Sequence, residues 1–177
     1  MQIQITTPPD YLPVSVAVVK DYLDVGFDTH NDLIENLIKS STRRVEEYCS
    51  TSLQEQTLTV FFEYDKDGEY TLPNAPHKTL TSFKSIYKEG VETDLVLNTD
   101  FYKVGLTSFT LETSKIDNAF QAVYVAGYDT IPTPILEAIK MMVKDQYDHR
   151  GAIMDGSYTM SQEVKSKLAP FRKYLFF

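Results

Sequence analysis

The period of the apolar residues changes twice along this chain, and those two changes constrain the fold more than any other feature. From about residue 13 to residue 55 the apolar residues recur every three or four positions. In "DTHNDLIENLIKSSTRRVEEYCSTSL", Leu33, Ile34, Leu37, Ile38, Ser41, Val45, Tyr48 and Cys49 form one stripe, which predicts an amphipathic helix of about 20 residues. Arg43, Arg44, Glu46 and Glu47 fall mostly off that stripe, as a solvated face would. From Gln56 the period becomes two: Leu58, Val60, Phe62 and Tyr64 alternate with Thr57, Thr59, Phe61 and Glu63, which is strand spacing. After Pro134 the helical period returns, with Ile135, Leu136, Ile139, Met142, Val143 and Tyr147 on one stripe.

Shorter signals fill in this frame. Met1 to Leu12 alternates Ile3 and Ile5 with polar residues before Pro8 and Pro9, and reads as an extended arm. Ser15 is placed to cap a short first helix ending near Gly26. Asp67-Gly68 in "DKDGEY" predicts a hairpin tip. Between Gln56 and Tyr128, short runs separated by Gly, Asn and Asp predict five to seven strands, antiparallel because the connections are too short for helical crossovers. The expected fold class is therefore α+β: a small helical bundle made of an N-terminal helix pair plus a C-terminal helix, a β-rich antiparallel insertion, and an extended C-terminal tail. The expected division of a single domain, 1–177, is an arm at 1–12, helices at 13–55, the β insertion at 56–128, a helix at 129–151 and the tail at 152–177.

Composition limits the function. Formal net charge is −8, and residues 1–130 hold 10 Lys/Arg against 20 Asp/Glu. So acidic a body is a poor general binder of the phosphate backbone, where affinity comes from neutralising phosphates. Cys49 is the single cysteine, so neither an intrachain disulfide nor a cysteine-based zinc cluster is available. No stretch approaches the roughly 18 apolar residues of a membrane span, and the N-terminus lacks the basic-then-apolar pattern of a signal peptide. A soluble protein made in a cytoplasm is expected.

Four places carry residue types found in catalytic or ligand-binding motifs. The stretch "VYVAGYDTIPTPILEAI" runs strand, glycine, helix, as many phosphate-binding turns do. It has one glycine and neither phosphate-loop pattern, and Pro132 and Pro134 remove two N–H groups, so it reads as a corner. Asp65, Asp67 and Glu69 alternate as calcium ligands could, but Gly68 stands fourth where an EF-hand needs it sixth. His30, His77 and His149 show no metal spacing, and Cys49 lies on the apolar stripe. No catalytic residue, metal ligand or cofactor is assigned. The end of the chain stands out instead. Lys165, Lys167, Arg172 and Lys173 are interleaved with Phe171, Tyr174, Phe176 and Phe177, a composition suited to a protein partner or to folding back onto the chain's own core.

In order and spacing, the pieces resemble the head-tail connector proteins of tailed bacteriophages, also called adaptor or head-completion proteins. The resemblance rests on Ser15, Lys20 and Leu23; on Asp32-Leu33-Ile34 and Leu37-Ile38 closing at Val45-Glu46 and Tyr48; on Leu72-Pro73 with Pro76; on Asp100-x-Tyr102-x-Val104; and on Ala126-Gly127-Tyr128, Ile131-Pro132, Ile135 and Ala138-Ile139 leading to Tyr147 and Arg150. It covers residues 13–151. It implies a structural virion protein without catalysis: a ring, usually of twelve copies, under the portal, joining capsid to tail and lining the channel that passes double-stranded DNA without gripping it. The implied partners are the portal protein, a tail-side stopper or tail protein, and further copies of the chain. The basic-aromatic residues above are then candidates for docking onto the portal or a neighbouring subunit. The alternatives are another tail or neck component without portal contact and, from a different class, a small hydrolase using unassigned carboxylates.

Overall fold

A computed structural model of the chain describes residues 1–87, 90–114, 119–149 and 159–173. The chain forms two compact units, one of Met1–Pro9 with Gln54–Asp129, the other of Asp10–Leu53 with Thr130–Phe177.

The first unit is built of β-strands among the described residues. Its strands are β1 (Gln2–Thr7), β2 (Gln56–Glu63), β3 (Glu69–Thr71), β4 (His77–Ile86), β5 (Glu92–Asp94), β6 (Phe101–Val104), β7 (Thr110–Thr113) and β8 (Ala119–Ala126). They form a five-stranded sheet of order β1-β2-β8-β4-β5 and a three-stranded sheet of order β3-β7-β6. Among the described residues, the pairings between these strands are antiparallel. The period-two pattern explains the packing. On β8, Phe120, Ala122, Tyr124 and Ala126 are buried while their neighbours are partly exposed, and on β2 Leu58, Val60 and Phe62 lie opposite them. The second sheet closes this face with Tyr70, Phe101 and Leu111. Tyr70 alone contacts the rings of Phe62, Phe83 and Phe120. Tyr64, predicted to continue the alternation, lies past the end of β2 and is exposed.

Asp67-Gly68 does make a turn. Gly68 N–H donates to the Asp65 carbonyl at 3.1 Å, and Asp67 N–H to the Asp65 carboxylate at 2.9 Å. The expected hairpin is absent, however: β2 pairs with β1 and β8, whereas β3 pairs with β7 in the other sheet. The local dipeptide sets the reversal of the chain, and core packing between the sheets sets the partner. The N-terminal arm is extended as expected and lies along β2 from Gln2 opposite Phe61 to Thr7 opposite Thr57.

The second unit is helical among the described residues: α1 (Val16–Leu23), α2 (Asn31–Cys49), α3 (Thr133–Asp148) and α4 (Gln162–Leu168). Ser15 caps α1 through its hydroxyl, which accepts from Val18 N–H, and Asp24 closes it in the left-handed conformation, two residues before the expected Gly26. The predicted stripe on α2 is buried at Ile34, Ile38, Ser41, Val45 and Cys49, joined by Thr42. It packs on α3, which buries Ile135, Ala138, Ile139, Met142, Val143, Gln146 and Tyr147. Pro134 stands in the first turn of α3, where its missing N–H breaks no helical bond. Within the segment expected as an extended tail, residues 162–168 are helical instead. Ser161 accepts from Val164 N–H, and Val164 and Leu168, four apart, are buried on one face.

Two polar contacts fix the α2–α3 pair. Gln146 donates to the Ser41 hydroxyl at 2.9 Å inside the interface. His30 Nδ1 hydrogen-bonds the Tyr147 hydroxyl at 2.6 Å, tying the start of α2 to the end of α3. At the other end of α2, the Glu46 carboxylate accepts from Leu53 N–H at 2.8 Å. Burial pushes the Glu46 carboxyl above the usual carboxylate range, against the smaller opposing pull of the Leu53 bond and of Arg43. A carboxyl raised by folding stabilises when protonated, and that contribution is lost as pH rises through its folded value. Glu46→Gln keeps an acceptor for Leu53 without a charge to desolvate. It is expected to be more stable than wild type at pH 7 and indistinguishable from it near pH 4, as urea titrations at the two pH values would show. Glu46→Ala loses the acceptor and should cost about 1–2 kcal/mol at both.

Candidate assembly surfaces

The side chains with catalytic potential are engaged in structure. His77 is buried, with Nε2–H donating to the Pro73 carbonyl at 2.7 Å and Nδ1 accepting from Phe109 N–H at 2.8 Å. This network assigns the neutral tautomer. His149 donates through Nδ1 to the Asp145 carbonyl at 2.9 Å at the end of α3. Cys49 is buried and its thiol is pushed up to about 11 by that burial, so it is neither exposed nor thiolate at neutral pH. Among the described residues no three His, Cys, Asp or Glu side chains are grouped to hold a metal ion.

The basic-aromatic end is drawn onto its own helical unit as far as it is described. Lys167 pairs with Glu137 of α3 at 3.1 Å, and the Arg172 guanidinium lies 5.1 Å from the centre of the Tyr48 ring. Lys173 N–H donates to the Cys49 carbonyl at 2.8 Å. Phe171, in a short 3-10 turn after α4, is half-buried, and Lys165 is partly exposed on α4. Tyr174, Phe176 and Phe177 lie outside the described residues. Of the eight candidates, the structure therefore gathers Lys165, Lys167, Phe171, Arg172 and Lys173 along the α2–α3–α4 surface, with Lys167, Arg172 and Lys173 already in contact with it.

The β unit holds surfaces that sequence reading placed only loosely. Ile3 and Ile5 of β1 sit opposite Val60 and Leu58, so they share the core face with two fully buried residues. Yet they are 40% and 53% exposed, because β1 packs chiefly on β2 rather than under the second sheet. On β6, Tyr102 and Val104 point away from the core at 58% and 50% exposure, and the turn that follows carries Leu106 at 92%. That turn is anchored at its base, where Thr107 accepts from His77 N–H at 2.9 Å and Phe109 is bonded to both His77 and Leu72. Exposed apolar side chains on open strand edges are the usual mark of a surface awaiting a partner. The alternation of "QIQIT" signalled the strand, but its exposure depends on which elements pack against it.

No helix among the described residues is long and apolar enough to cross a membrane. The chain is similar in fold to chains of three solved assemblies of gene transfer agent (GTA) particles. Against the neck of the empty particle computed with C6 symmetry, the TM-score is 0.79 at 16% identity, covering 100% of this chain and 98% of that one. Against the native virion it is 0.80 at 17%, and against the native neck computed with C12 symmetry 0.76 at 18%, with the same coverage. No curated protein matches the sequence. A family model described as "Head completion protein" matches residues 14–166. That span runs from the cap of α1 into α4 and takes in both units, so the chain belongs to the head completion protein family and is a structural component of the head-tail connector.

Proposed function

We propose that this chain assembles as a ring of identical copies, twelve in the complete particle, beneath the portal at the capsid vertex. There it forms part of the passage for double-stranded DNA and offers its far side to a stopper or tail protein. It catalyses no reaction in this role. The observation that carries the reading is the family match over residues 14–166. The likeness in fold to neck chains of GTA particles, one of them computed with C12 symmetry, supports it. A net charge of −8 suits a wall along which DNA slides, since an acidic surface repels phosphates that a basic one would hold.

In this reading Lys165, Phe171, Arg172 and Lys173, continued by Tyr174, Phe176 and Phe177, dock on the portal or on a neighbouring copy. Lys167 mainly braces α4 against Glu137. Purified portal rings mixed with the chain should give a larger complex by light scattering, visible as an added ring in electron micrographs. Removing residues 174–177, which leaves the buried Val164 and Leu168 of α4 in place, should weaken that complex and leave the thermal melt unchanged. Failure of the intact chain to bind portal rings would sink the ring-under-portal reading.

A further inference from the structure

We propose that the open edge of β1 in one copy joins the open edge of β6 in a second copy, making one continuous intermolecular sheet. The inference deepens the ring reading by naming the surfaces through which copies meet, and it rests on that reading for its place in a particle.

Among the described residues four strands end the two sheets of the β unit: β1 and β5 in one, β3 and β6 in the other, with the β6 edge bridged at Phe101 by Leu97 and Asn98, so that its open part is Tyr102 to Val104. Open edges template pairing with other chains unless charge or proline blunts them. β5 presents Glu92 and Asp94, and β3 presents Glu69. Two copies of a chain with net charge −8 would repel each other at such edges. β1, "QIQITT", carries no charge at all, and β6, "FYKV", carries only Lys103. These are the two terminal strands without a carboxylate, and both hold exposed apolar side chains, Ile3 and Ile5 on one, Tyr102 and Val104 on the other.

Strand parity narrows the geometry. Residues directly opposite in a sheet share a face, so pairing Ile3 and Ile5 directly with Tyr102 and Val104 sets Gln4 opposite Lys103. That holds for either strand direction. The four apolar side chains then form aromatic and β-branched pairs across the junction, covering the part of β1 left bare in a single copy. Because β1 and β6 are different surfaces, the contact is head-to-tail and can repeat from copy to copy, as a ring requires.

The test is disulfide trapping in the full chain with Cys49→Ala. Gln4→Cys combined with Lys103→Cys should give, on mild oxidation, a ladder running past dimer to trimer and higher species. Each single variant should stay monomeric. Adding Ile3→Lys and Ile5→Lys, both at exposed positions, should abolish the ladder while circular dichroism and melting stay as in the parent. A monomeric double variant, in solution and on portal rings alike, overturns the proposal. So does a dimer from Gln4→Cys alone, which would mean that β1 pairs with itself, or a ladder that survives the two lysines. Portal binding without a ladder sinks the edge pairing alone; a ladder without portal binding sinks the place beneath the portal alone.

Discussion

Gly127→Ala is expected to lower the unfolding free energy by about 3 kcal/mol, through strain in the backbone and a clash with it. Gly127 ends β8 with φ of 140°, a conformation that side chains rarely adopt. A Cβ built there would lie 2.5 Å from the Gln54 carbonyl carbon and oxygen and 2.6 Å from Glu55 N. These are backbone atoms just before β2, and they cannot rotate away as a side chain would. Relief by shifting Gly127 would strain its N–H bond to the Pro76 carbonyl, 2.9 Å long. For a chain of this length the loss corresponds to a fall in melting temperature on the order of 10 °C. Gly26→Ala is the control: no atom lies within 4 Å of its Cβ, so the melt should move little. Equal effects at both positions, measured by calorimetry or urea unfolding, would remove the close approach at Gly127 as the cause.

The second large effect is expected at His77. Its ring bridges the Phe109 N–H and the Pro73 carbonyl. His77→Phe keeps an aromatic ring in place, a somewhat larger one, but leaves the buried Phe109 N–H without its acceptor, at a cost of about 2 kcal/mol. The Pro73 carbonyl suffers less, since the Tyr124 hydroxyl still donates to it at 2.8 Å. His77→Ala adds a cavity beside Phe109 and Tyr124, whose ring centres lie 5.3 and 5.1 Å from the imidazole. It should cost about 4 kcal/mol in all. Amide exchange gives a sharper readout. The Phe109 amide should lose protection first, followed by the His77 amide that donates to the Thr107 carbonyl, because His77 holds both sides of that turn. If exchange rises evenly across the β unit, His77 is only a packing residue.

His77 also shows where sequence reading stops. A histidine in "NAPHKT" reads as a loop residue, and nothing local reveals that residues 73 and 109 will converge on its two nitrogens. The candidate surfaces divide in the same way. The composition of "VKSKLAPFRKYLFF" singled out a basic-aromatic end, yet the pairing of Lys167 with Glu137 and of Lys173 with the Cys49 carbonyl needs α2, α3 and α4 assembled. Likewise, "QIQIT" announces a strand, but the partner of that strand lies more than 50 residues away in β2.

What the sequence determined by itself is what depends on near neighbours. The apolar period assigned helix or strand, Ser15 began a helix and Pro134 opened another, and the order of these pieces carried the resemblance to a connector. Tertiary structure decided what depends on distant neighbours. It paired β3 with β7 rather than with β2, and left Ile3 and Ile5 bare beside a filled core. The physical reason is one of range. Backbone preference and amphipathic period act within about one or two turns, whereas burial is settled only when separate elements compete to cover the same apolar face.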